Sequence, residues 1–208
     1  MKHRISFLKF ALVLTGAFGG SLSHAAATDS SPEISFAVHK LSEVNIEGPN
    51  VERTYFTIGT KRMIFGLPKD CRLAVEDGFL LLPTETAGFD GEVHVTRSTF
   101  TPETDLAAEA LRYREAAASS MPEGSTNIQV QPPVLNPYPF NGWKSLGFTW
   151  TYSSFGRPMV RTVSYINLDG GVQVVVTTIA AKSDAAVVDK VAKGFISSWW
   201  VMDDSRVK

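Results

Sequence analysis

The sequence predicts an α+β fold, a mostly antiparallel sheet with helices packed on it. Two observations carry this. Three apolar runs, Trp143–Tyr152, Met159–Asn167 and Val172–Ala180, are joined by short turns and not by crossovers. Two stretches with helical apolar spacing, Thr101–Ser120 and Ser183–Ser198, each follow strand-like runs and need a sheet to lie on. The chain is organised around its last third, Trp143–Trp200, which holds all 4 tryptophans and with them the largest share of apolar surface to bury.

In chain order, Met1–Ala27 has the form of a secretory signal peptide. Lys2, Arg4 and Lys9 make its basic start, Phe10–Gly20 is apolar but too short to span a bilayer, and Ser23–Ala27 offers small-residue cleavage points after Ala25 or Ala27. The expected location is therefore export, to a periplasm or the outside. Thr28–Pro32 reads as a leader, Ile34–Val38 as a short strand and Ser42–Arg53, with Gly48-Pro49-Asn50, as a loop. The expected organisation is residues 1–27 as signal, 28–54 as leader and strand, and 55–208 as one domain.

Thr54–Gly59 and Met63–Leu67 read as short strands, and Arg72–Val75 with Gly78–Pro83 as a hairpin about Glu76-Asp77-Gly78. In Gly91–Phe100, Val93 and Val95 alternate with Glu92, His94 and Thr96, the pattern of a half-buried strand. Thr101-Pro102-Glu103 is a helix start, with threonine as cap, proline at the first helical position and glutamate at the positive end. Leu106, Ala110, Tyr113 and Ala117 form that helix's apolar stripe. Ile128–Val130 is a further short strand. Pro132–Gly142 is a proline-rich loop ending in the turn signal Asn141-Gly142.

Ser153–Pro158 predicts a loose hairpin, and Leu168–Gly171 a tight one in which Asp-Gly supplies positive φ. Valines occupy both faces of the run from Val172, so this strand should be covered on both sides. Ser183 is the expected cap of the last helix, and Val188, Val191, Phe195 and Trp199 its stripe.

This order of elements resembles the PsbP/Mog-type sandwich. The likeness lies in the early strand ending in proline, Met63–Pro68, and in a strand feeding a helix at Gly91–Ser120. It continues through the turn at Asn141-Gly142 before a long meander, and the terminal helix closing on Phe195–Trp200. It spans residues 55–200. The resemblance implies a non-enzymatic binding or assembly factor, without catalytic residues to carry over.

Charge and motif content exclude several classes. Without the three basic residues of the signal segment, 17 basic stand against 21 acidic residues, a net charge of −4, which argues against nucleic acid or an anionic membrane as partner. The single cysteine, Cys71, cannot form an internal disulfide; it lies beside Lys69 and Arg72, which would favour a thiolate, or is structural. No second apolar span suggests membrane insertion. His39 and His94 lack a second ligand at metal-binding spacing, so neither a metal nor another cofactor is expected. Neither a Gly-x-Ser-x-Gly elbow nor a phosphate-binding glycine turn is present. Paired carboxylates Glu76-Asp77 and Asp203-Asp204 fall in a turn and a tail.

What remains is aromatic. Tyr138, Phe140, Trp143, Phe148, Trp150, Tyr152 and Phe155 crowd one loop and strand. They are either an exposed patch for a partner or the core under a helix. The expected site is Tyr138, Phe140 and Trp143 in the loop, with Phe155 and Arg157 in the neighbouring hairpin, acting on a protein partner. Arg157 and Arg161 either orient an anionic partner or stay solvated. A second reading is a carrier of a small apolar ligand between sheet and helix, lined by Phe148, Trp150, Val191 and Phe195. A third is a hydrolase using His94 with Glu92, which share a strand face.

Overall fold

A computed structural model describes residues 32–43, 49–100, 102 and 105–202. The signal segment, Thr101 and Glu103 of the expected helix start, residues 44–48 of the expected loop and the acidic pair 203–204 lie outside the described residues. All elements below belong to the compact unit 31–208.

The first strand, β1 (Ile34–Glu43), pairs antiparallel with β2 (Val51–Ile58), which pairs with β3 (Lys61–Phe65). Ser42 and Glu43 pair with Glu52 and Val51, so the stretch expected as loop is strand at both ends. The boundary expected at residues 54/55 falls inside β2. Then come β4 (Cys71–Val75), β5 (Gly78–Pro83) and β6 (Gly91–Arg97), followed by α1 (Ala110–Ser119). The chain continues with β7 (Thr126–Val130), β8 (Val134–Leu135), β9 (Lys144–Ser154), β10 (Arg157–Leu168) and β11 (Val172–Ala181). It ends with α2 (Ala185–Ser197) and β12 (Trp200–Val201).

These strands make two sheets. The smaller has the order β1-β2-β3-β12, and the larger β4-β5-β6-β11-β10-β9-β7, with β8 also paired to β9. Every pairing is antiparallel. The chain is an α+β sandwich, as its element order predicts. The separate four-stranded sheet is the addition: the short strands before residue 66 do not extend the main sheet but form a layer of their own.

Two cores lie on opposite faces of the larger sheet. On one face, Phe79, Leu81, Val93, Val95, Val172, Val174 and Val176 meet Phe36, Phe56 and Phe65 of the small sheet and Val188, Ala192, Phe195 and Ile196 of α2. Phe79 stands edge-on to Phe36, Phe56, Phe195 and Trp199, with ring centroids 4.9, 5.1, 5.8 and 6.3 Å away. Edge-to-face packing of this kind adds about 0.5–1.5 kcal/mol per pair beyond area burial. Gly91 lets α2 approach, because a Cβ there would lie 2.6 Å from Val188 Cγ2 and 2.7 Å from the Ile179 carbonyl oxygen.

On the other face, Leu106, Tyr113 and Ala117 of the α1 segment pack on Leu146, Phe148, Trp150, Val163 and Tyr165. The apolar stripes read for both helices are thus their buried faces. The valines of β11 are covered on both sides, since Val175 packs against this second core.

The helix starts depart from expectation. Residues 106–109 are turn, and Asp105 Oδ1 accepts from the backbone N–H groups of Ala107 and Ala108 at 3.0 and 3.2 Å. An aspartate that holds its own turn competes with helix at this point. In α2 the cap position is Asp184, not Ser183, and its carboxylate turns away to accept the backbone N–H of Asp90 at 2.9 Å. The Asp-Gly turn also shifts by one residue, with positive φ at Gly170 and Gly171.

Phe79→Ala should cost about 3–5 kcal/mol, because five aromatic neighbours cannot all close on the cavity. Urea denaturation monitored by far-UV circular dichroism checks this; a loss under 1 kcal/mol would mean that the two layers meet elsewhere.

Candidate functional site

Two places on the molecule combine exposure with chemistry: the tip of the β9–β10 hairpin, and a groove beside α1.

The hairpin is tighter than its sequence suggests. Ser154 pairs with Arg157 and Ser153 with Pro158, leaving Phe155-Gly156 as a two-residue connection. Both have positive φ, 48° and 79°. That is the requirement of a type I′ turn, which natural chains usually meet with Asn-Gly. Phenylalanine in the left-handed region costs roughly 1–2 kcal/mol. The ring recovers none of this through burial, because Phe155 is fully exposed at 102%. Arg157 Nη1 lies 2.7 Å from Asp90 Oδ2, the Pro158 carbonyl accepts from Lys182 N–H at 3.0 Å, and Ala181 N–H donates to the Asp90 carbonyl at 3.3 Å. The base of the hairpin is therefore held while its tip stands in water.

The other expected site residues are not on this surface. Tyr138, at 2% exposure, and Trp143 belong to the core shared with α2, and Phe140 packs partly buried against it. The proline-rich loop folds inward because its polar groups find partners there. Asn136 Oδ1 accepts Ser145 N–H at 3.1 Å, Ser145 Oγ accepts Tyr138 N–H at 3.1 Å, and Asn141 Nδ2 donates to the Trp199 carbonyl at 2.8 Å. Burial pushes the Tyr138 phenol well above its ordinary pKa. Of the five residues, Phe155 and Arg157 are exposed together, and Tyr138 and Trp143 are removed from solvent.

The carrier pocket read from sequence does not form. Phe148 and Trp150 lie under α1, whereas Phe195 and Val191 lie on the opposite face of the sheet. Cys71 is the buried, structural cysteine of the two readings: burial and, less strongly, Asp70 push its thiol up, against the lowering that Lys69 and Arg72 would give.

The groove follows from the register. The rows Glu92–Ile179–Arg161–Trp150, His94–Thr177–Val163–Phe148 and Thr96–Val175–Tyr165–Leu146 run across β6, β11, β10 and β9 on the α1 face. The ten residues of α1 cover the β9–β10 half of these rows. The β6–β11 half stays open as a groove of about 460 Å³, walled by Phe100, Ala116 and Ser120. Its floor mixes the apolar Val163, Val175 and Ile179 with Thr177 and His94.

Two charged features mark this groove. His94 Nε2 lies 3.0 Å from Glu92 Oε1 at its rim, and the hydrogen bond from His94, partly offset by burial, holds the Glu92 carboxyl below the usual carboxylate range. Arg161, at 6% exposure, is the buried one. Its Nη1 donates to the carbonyls of Ala117 and Ser120, and its Nη2 to Ser120 Oγ at 2.8 Å. Burial pulls its pKa down, against Tyr152 and Tyr165, yet a guanidinium stays charged. By its place beside the hairpin in sequence, Arg161 is expected to be solvated. The missed signal is its spacing: it shares a strand face with Val163 and Tyr165, at i, i+2 and i+4.

On the outer face of the small sheet Arg53 sits over the Trp200 ring at 5.9 Å, Arg62 over Tyr55 at 5.7 Å, and His39 stacks on Tyr55 at 5.2 Å. Trp200 stands 40% exposed because it leaves the helix and pairs with Ile64 of β3.

No family model matches the chain, and no curated protein is similar to it in sequence. Among solved structures the fold is similar to LpqN of Mycobacterium tuberculosis, described as involved in cell envelope biogenesis. The identity is 13% and the TM-score 0.48, over 80% of this chain and 92% of that one. It is also similar to the Ran-binding protein Mog1p of Saccharomyces cerevisiae, at 12% identity and TM-score 0.43, over 83% of this chain and 100% of that one. A Pseudomonas aeruginosa protein of unknown function, PA94, described as a putative regulator, matches at 10% identity and TM-score 0.40, over 62% and 94%. The likeness is one of fold, and none of the three lends its function to this chain. No helix among the described residues is long and apolar enough to cross a membrane.

The His94–Glu92 contact has a measurable consequence. A lowered folded-state pKa contributes stability above the unfolded value, lost as pH falls through the folded one. His94→Ala should therefore be less stable than the parent at pH 7, and the difference should close below pH ~4. Urea denaturation across this pH range checks it; a difference that persists unchanged at pH ~3 would show that His94 acts through packing.

Proposed function

We propose that the protein is an exported, non-enzymatic binding or accessory factor whose contact point with a protein partner is the β9–β10 hairpin tip. The observation that supports this reading is Phe155. A large aromatic, fully exposed at 102% and held at φ 48°, contributes nothing to the core and strains its own turn. Strain of this kind persists where function uses it. Exposed aromatics on a rigid base are what protein interfaces use as anchors. Arg157, beside it, offers a guanidinium whose present partner, Asp90, is itself exposed, so the pair can be exchanged for a partner's carboxylate at little cost.

Export rests on the Met1–Ala27 pattern of basic start, short apolar core and small-residue end. The non-enzymatic reading rests on what the sites contain. Among the described residues, the histidine–carboxylate contact of His94 with Glu92 has no serine or cysteine nucleophile lining its groove that is free of a structural bond: Ser98 Oγ donates to Gln173 Oε1 at 2.6 Å and Ser120 Oγ to the Ala117 carbonyl at 2.9 Å.

Phe155→Asn separates the two roles. Asn-Gly is the preferred type I′ sequence, so the variant should be more stable by about 1 kcal/mol, or ~2–4 °C in Tm. It should also lose partner capture in a crosslinking pulldown from the exported fraction. A variant that is both stabilised and still captures the same partner would remove the hairpin tip from the interface.

A further inference from the structure

The groove beside α1 is separate from the hairpin reading and carries its own chemistry. Arg161 is a buried cation whose compensation is incomplete. Its two terminal nitrogens are taken up by the C-terminal carbonyls and hydroxyl of α1, which carry only partial negative charge. Its Nε has no hydrogen-bond partner, and no Asp or Glu among the described residues forms an ion pair with it. A buried charge is normally paired with an opposite one, and an unmade hydrogen bond to a charged group is expensive. Glu92, the acid on the same face, is taken up by His94 at the rim, and Ile179 separates its row position from that of Arg161.

Arg161 also lines the groove, whose volume of about 460 Å³ is that of an ordinary small-molecule site. From it Ile179, Val163 and Val175, with Thr177 among them, lead toward the Phe100 ring. Arg112 lies over that ring at 4.5 Å, which fixes the wall. A buried cation beside Ile179, Val163 and Val175, with Glu92 already taken up by His94, suits an acid head on an apolar chain.

We propose that this groove binds a small monocarboxylic acid, its carboxylate accepting from Arg161 and its chain lying on Ile179, Val163 and Val175. The carboxylate supplies the full negative charge that the end of α1 does not. The chain covers the part of the sheet that α1 is too short to reach. The ligand makes α1 and the sheet one unit, because Arg161 then bridges helix and acid.

The test uses isothermal titration calorimetry of the purified protein with sodium octanoate, 1-octanol and octylamine. Octanoate should bind at least tenfold more tightly than octanol, and octylamine should not bind measurably. Thr177→Trp, which places an indole on the groove floor beside Val163, should weaken octanoate at least tenfold while leaving the unfolding midpoint near that of the parent. Arg161→Met should reduce octanoate to the affinity of octanol. If that variant unfolds with the loss of the α1 anchor, the comparison of ligands and the Thr177→Trp arm still decide. Octanol binding as tightly as octanoate, octanoate binding unaffected by Thr177→Trp, or no octanoate binding at millimolar concentration would each overturn the proposal. None of these outcomes bears on Phe155, so the groove and the hairpin stand or fall separately.

Discussion

A strand in the middle of a wide sheet has two faces, and both must be kept from water. This constraint shapes the whole molecule. β11 carries Val172, Val174 and Val176 on one face and Val175 on the other. Burying each such side chain contributes roughly 1.5–3 kcal/mol, so neither face can be left bare. One face takes two covers, the small sheet and α2, which meet over Phe79. The other takes α1 alone. One helix, about 10–12 Å across, is narrower than the four strands beneath it, which lie about 4.8 Å apart. The uncovered remainder is the groove, and its residues turn polar at Glu92, His94, Thr96 and Thr177 where the helix stops covering them.

The short helix needs fastening, and buried polar groups do it. Tyr165 donates to the Tyr113 carbonyl at 3.2 Å. Gln173 Nε2 donates to Tyr113 Oη at 3.1 Å and Asn167 Oδ1 at 2.8 Å, while its Oε1 accepts from Ser98 Oγ at 2.6 Å. Burial pushes the Tyr165 phenol up to about 12, with Tyr113 adding to this, so it remains a donor at any working pH. Arg161 closes the far end. Such a network fixes one register of helix on sheet where apolar contacts alone would allow several. Its cost falls on Arg161, whose Nε donor has no hydrogen-bond partner. Fold and candidate ligand site thus meet in a single side chain.

The hairpin tip shows the opposite balance. Around it everything is satisfied: Arg157 with Asp90, Asp90 with Asp184, and Lys182 with Pro158. Strain and exposed apolar surface are confined to Phe155. A chain selected for stability alone would carry asparagine there, since asparagine accepts positive φ at much lower cost.

Periodicity and turn chemistry determined most of the elements without further help. The three meander strands, the Asn141-Gly142 turn and the buried stripes Leu106–Ala117 and Val188–Trp199 are local patterns, set by residues a few positions apart, and the α+β class follows from their order. Which face of a strand meets which layer is not local. Tyr138 and Trp143 read equally well as surface or core until the loop's polar groups find Ser145 and Trp199. Arg161 reads as solvated until α1 lands on it. Trp200 follows the end of the helical stripe in sequence and pairs with Ile64 of β3. In each case the deciding partner lies on another element, so the outcome belongs to the tertiary structure: burial is decided by what packs on a residue, and one chain position does not reveal its neighbour in space.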